Sequence, residues 1–104
     1  MAVATATAEP LIEACLKRLG VIDCFEFILS CESLGTSKRE PMIYLESARR
    51  FDAAPSEVAV YEDAFYAAET AKKAGFYLVA VYDDEEDENW EKICSLADEG
   101  VNLN

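Results

Sequence analysis

Val58-Ala-Val-Tyr-Glu62-Asp63-Ala64-Phe-Tyr-Ala67-Ala68-Glu-Thr-Ala71-Lys-Lys-Ala74-Gly75-Phe-Tyr77-Leu-Val-Ala-Val81 is the stretch whose reading decides the fold. Val58 to Tyr61 is an apolar run of strand length, ended by the adjacent carboxylates Glu62 and Asp63. Ala64, Ala67, Ala68, Ala71 and Ala74 then recur at helical spacing, and Gly75 closes the helix. Tyr77 to Val81 is a second apolar run. A strand, a helix and a strand in this order form a parallel crossover, and such crossovers are right-handed. Strands that read as continuous apolar runs are covered on both faces.

The same alternation extends outward. Met1 to Thr5 reads as a short strand. Thr7 to Glu9 supply cap chemistry, with Thr7 as the cap, and Pro10 suits a first helical turn. Leu11, Ile12, Cys15, Leu16 and Leu19 follow at helical spacing up to Gly20. Phe25 to Leu29 reads as a strand, Ser30 to Glu40 as a polar loop, and Pro41 opens a helix through Phe51. After Val81 come six consecutive acids, Asp83 to Glu88, read as a solvated loop and first helical turn. A last helix carries Trp90, Ile93, Cys94 and Ala97 on one side, with Trp90 anchoring it on the sheet. The expected fold class is α/β, a parallel sheet of four strands with helices on both faces. The first strand begins at Met1 itself, which predicts an element upstream.

The 104 residues predict one domain, residues 1–104, with 52% hydrophobic and 29% charged residues. Nine basic against 21 acidic side chains leave a net charge of -12, which argues against nucleic-acid and anionic-membrane partners. No histidine is present, which removes Ser-His and Cys-His nucleophile systems and imidazole zinc sites. Cys15, Cys24, Cys31 and Cys94 form no C-x-x-C pair and read as reduced, mostly buried thiols. No basic signal-peptide region precedes Glu9, and the expected location is the cytoplasm.

In open parallel α/β sheets, ligands bind beyond the carboxyl ends of the strands. Thr5 and Thr7, Ser30 onward, Glu62 with Asp63, and Asp83 with Asp84 fall there, and the 30–40 loop can carry Lys38 to the same edge. A hydroxyl and an ammonium suit phosphate oxygens. Adjacent carboxylates suit a hard cation such as Mg²⁺. Taken singly, each feature has a plainer reading: Thr5 as a cap, Lys38 as a solvated loop residue, Glu62 and Asp63 as acids complementing a helix dipole.

Val3-Ala-Thr5-Ala-Thr7, Gly35-Thr-Ser-Lys38-Arg-Glu-Pro41-Met-Ile-Tyr-Leu45, Val58-Ala-Val-Tyr-Glu62-Asp63-Ala64 and Ala71-Lys-Lys-Ala-Gly75-Phe together resemble the haloacid dehalogenase (HAD) superfamily, in its β-phosphoglucomutase-like and phosphatase branch. The resemblance runs from Val3 to about Val81. It implies phosphoryl transfer through an aspartyl-phosphate on a small phosphorylated metabolite. Thr5 would hydrogen-bond the transferring phosphoryl group, Lys38 would neutralise phosphate and nucleophile, and Glu62 and Asp63 would hold Mg²⁺, Asp63 directly. Hydrolase and mutase chemistry both remain open.

The departures from the family pattern carry weight. The family's first motif, D-x-D-x-T/V, which supplies the nucleophile and the general acid/base, is absent from these residues, as is the cap. Ala64 stands where the branch often has serine, and Arg39-Glu40 where Pro-x is frequent. The resemblance therefore implies an incomplete core lacking its central strand, inactive as a phosphatase by itself. The exposed edges would then be covered by pairing of the Thr5 strand with the Val58 strand, or by self-association of two chains. The rival class is a non-catalytic, truncated domain that binds phosphate or a protein.

Overall fold

The computed structural model describes residues 1–102, without the side chains of 85–87. It forms two compact units, residues 1–47 and residues 48 onward.

The first unit contains β1 (Val3–Thr5), α1 (Glu9–Leu19), a 3₁₀ turn at Ile22–Cys24, β2 (Ile28–Ser30), α2 (Cys31–Leu34) and the start of α3 (Met42–Arg50). β1 and β2 are parallel, with Val3 opposite Ile28 and Thr5 opposite Ser30. Pro10 lies in the first turn of α1, where its missing N–H costs nothing. Gly20, at φ 74°, ends the helix, and the N–H groups of Gly20 and Val21 donate to the Lys17 and Leu16 carbonyls. Thr7 does not cap α1. The cap position is Ala8, which offers no side-chain bond. The loop expected from Ser30 onward begins instead as α2, because Ser30 Oγ accepts the Ser33 N–H at 3.1 Å as an N-cap.

The second unit contains the end of α3, a 3₁₀ turn at Pro55–Glu57, β3 (Ala59–Glu62), α4 (Phe65–Lys73), β4 (Tyr77–Val81), a 3₁₀ stretch at Asp84–Asn89, α5 (Trp90–Leu96) and β5 (Glu99–Val101). Its sheet has the order β3-β4-β5, all parallel. Glu62 lies opposite Ala80, and Ala80 opposite Gly100. Ala68 of α4, Leu78 and Ala80 of β4 and Ile93 of α5 form a buried cluster, with Phe65, Trp90, Leu96 and Ala97 packed against it. Leu78 and Ala80 point to one face of β4, so α4 and α5 share that face. Leu78, Val79 and Ala80 are all buried, as in a strand covered on both sides. The alanine stripe does what its spacing predicts: Ala67, Ala68 and Ala71 are fully buried.

The α/β class and parallel strands match the sequence reading. Among the described residues the strands number five, in sheets of two and three, because Glu99–Val101 adds a short edge strand. Among the described residues, the ladders join β1 to β2 and β4 to both β3 and β5. Of the four free cysteines only Cys31 is buried, and Cys24 and Cys94 are exposed, which corrects the expectation of mostly buried thiols. The acidic run continues as the 3₁₀ stretch after Asp83, and the side chains of 85–87 lie outside the described residues.

Asp98 ties the sheet to its helix. Its N–H donates to the Leu78 carbonyl at 2.9 Å, and its Oδ2 accepts the Leu78 N–H at 2.8 Å. Lys72 Nζ donates to both carboxylate oxygens, at 2.9 and 3.0 Å. The Leu78 N–H first, and then Lys72, hold the Asp98 carboxyl below its ordinary value. Stability from this link is present above the ordinary aspartate pKa and lost as pH falls through the lower folded value. Asp98→Ala is expected to lower the thermal midpoint and to speed hydrogen exchange at the Leu78 amide. An unchanged Leu78 exchange rate would show that the carboxylate does not hold that amide.

Candidate functional site

The residues singled out by sequence divide between the two units. In the first, Thr5 is the last residue of β1 and Ser30 the last of β2, directly opposite. Thr5 Oγ1 accepts the Thr7 N–H at 3.0 Å. That bond uses the oxygen as acceptor and not the hydroxyl proton, which fits the group to donate to an anion. Ser30 is buried and its hydroxyl is used internally, donating to Ser33 Oγ at 2.9 Å. Ser33 Oγ in turn lies 3.0 Å from Glu9 Oε1, to which it donates. This link between β2–α2 and the start of α1 was not legible in the sequence, because Glu9 and Ser33 lie 24 residues apart.

Lys38 is half-buried in a turn between α2 and α3. The turn is closed by the Glu40 N–H donating to the Ser37 carbonyl at 3.1 Å and the Arg39 N–H donating to Ser37 Oγ at 3.3 Å. Pro41 follows, and its carbonyl accepts the Leu45 N–H at 2.9 Å to start α3. Serine, with its short acceptor, is thus what shapes the segment carrying the lysine.

In the second unit, Glu62 ends β3 with only 7% of its surface exposed. Asp63 follows it half-buried, and Asp83 lies just beyond the end of β4. The carboxyl of Asp63 is pushed up to about 6, first by burial, then by a hydrogen bond with Asp83 and by the charge of Glu62; its own backbone N–H opposes this. The parallel register of β3 and β4 brings these three acids together. Carboxylates so crowded are relieved by a proton or by a cation.

The donor set can be tested against Mg²⁺, the ion that phosphate chemistry and adjacent carboxylates imply. Among the described residues, no group of three or more His, Cys, Asp or Glu side chains is arranged to enclose a metal. Mg²⁺ does not need one: it is commonly held by one or two carboxylates, with water and phosphate completing its shell. Glu62 and Asp63 fit that partial role by charge and ligand type.

Ala64 occupies the N-cap of α4 with extended backbone, φ -93° and ψ 129°, but no side-chain acceptor. The geometry is that of a serine cap without the serine. Ala64→Ser is expected to stabilise the chain by about 1 kcal/mol, read from the urea midpoint. A lower midpoint would mean that the half-buried position cannot take the hydroxyl.

The family model described as haloacid dehalogenase-like hydrolase matches residues 1–75. The beta-phosphoglucomutase of Bacillus subtilis (strain 168) is 36% identical over 66 residues, covering 64% of this chain and 29% of that protein. The fructose-1-phosphate phosphatase of Escherichia coli (strain K12) is 31% identical over 81 residues, covering 78% of this chain and 43% of that one. A dehalogenase crystallised in an intermediate complex has a TM-score of 0.81 over 96% of this chain and 43% of its own, at 22% identity, and so shares the fold. The chain thus spans less than half the length of each of these proteins. With parallel βα units, acids at the end of β3 and a family match over 75 of 104 residues, the chain belongs to the haloacid dehalogenase-like hydrolases.

Proposed function

We propose that the chain carries part of the site of a Mg²⁺-dependent phosphohydrolase acting on a small phosphorylated metabolite in the cytoplasm. The two units are then parts of one incomplete core domain. The observation that carries the reading is the grouping of Glu62, Asp63 and Asp83 at the ends of β3 and β4, where burial first, and then the neighbouring acids, hold Asp63 at about 6. A hydroxyl at the end of β1 and a lysine before α3 supply the complementary groups for a phosphate. Thr5 donates a hydrogen bond to a phosphoryl oxygen, Lys38 offsets its negative charge, and Asp63 with Glu62 would hold Mg²⁺. When bound, the ion neutralises phosphate charge and orients the group for in-line displacement. A phosphomutase is the second reading, favoured by the 36% identity with the beta-phosphoglucomutase.

Residues 1–104 contain no D-x-D sequence, so they lack the carboxylate expected to attack phosphorus. The purified chain is expected to release no phosphate from p-nitrophenyl phosphate with Mg²⁺, yet to bind Mg²⁺ weakly in titration calorimetry. Turnover would overturn the inactivity. Absence of any Mg²⁺ binding would overturn the metal role.

A further inference from the structure

We draw no further inference here: the strongest candidate, the exposed sheet face that carries Tyr61 of β3 and Tyr77 at the start of β4, is an aromatic surface patch, and nothing in the structure shows what covers it.

Discussion

Asp63→Asn is expected to raise the stability of the metal-free chain at pH 7 and to abolish its response to Mg²⁺. Asp63 titrates at about 6 in the folded protein, above the ordinary aspartate value. A folded chain that holds a proton more tightly than the unfolded chain loses stability as pH rises. The loss runs from about pH 4, where unfolded aspartate ionises, to just above 6, and is complete at pH 7. Raising an aspartate from about 4 to about 6 costs nearly 3 kcal/mol at pH 7, and partial exposure reduces that to on the order of 1 kcal/mol. Asparagine removes the charge and keeps the shape. The variant should therefore melt several degrees higher than the parent at pH 7 and coincide with it below about pH 4.

Mg²⁺ should reverse the order. An ion bound only by the folded parent stabilises it in proportion to occupancy, and the variant gains little. At pH 6 the parent should also release protons on binding, because the ion displaces the proton held by Asp63. Melting curves at several pH values, with and without Mg²⁺, contain the whole test. Equal Mg²⁺ responses in parent and variant would remove Asp63 from the metal site. An Asp63→Asn midpoint unchanged at pH 7 without Mg²⁺ would show that burial and the neighbouring acids do not raise Asp63.

Leu78→Ala is expected to cost about 2–5 kcal/mol, a large share of the roughly 5–15 kcal/mol typical of a whole domain. Leu78 is fully buried in the cluster with Ala68, Ala80 and Ile93. Its neighbours Ala68 and Ala80 are already small and cannot swing in to fill the space. The cavity term therefore adds to the lost transfer energy instead of being relieved. Leu11→Ala, at a residue 67% exposed, is the control and should stay within about 0.5 kcal/mol of the parent. A Leu78→Ala loss no larger than that of Leu11→Ala would mean that α4 and α5 do not pack on β4.

The βα alternation was readable because its signals are local. Apolar runs, alanines at helical spacing, Pro10 at a helix start and glycines at helix ends each act within a few residues. Gly20 and Gly75 indeed take positive φ where their helices stop. The strand limits moved by one to three residues: Phe25 and Phe27 precede β2, and β3 runs through Glu62 instead of stopping at Tyr61. Composition within a run does not decide which residues find a hydrogen-bonding neighbour.

β5 was not readable for a sharper reason. Glu99-Gly-Val101 has no apolar run and contains a glycine, yet it pairs with Val79 to Val81. A Cβ at Gly100 would lie 3.4 Å from both Cys94 Sγ and the Trp90 ring, at the near limit of ordinary contact, so α5 lies close over the strand. Trp90 meets Tyr82 edge to face at 5.3 Å, and the Tyr82 N–H donates to the Val101 carbonyl at 2.8 Å. These contacts join residues that are separate in sequence.

The candidate site divides in the same way. By itself, the sequence determined which groups stand at strand ends: Thr5, Glu62, Asp63 and Asp83 each follow an apolar run. It also determined the residue type at each place, and hence which chemistry is open to a chain with no histidine and no D-x-D. Only the tertiary structure decided how those groups are held. Thr5 bonds to Thr7, Ser30 is spent on Ser33, and half-buried Asp63 is set beside Asp83 and Glu62. Side-chain type is a local property of the chain, whereas burial and the neighbouring charges depend on which strands lie side by side. That neighbourhood comes into being only when β3 and β4 pair in register.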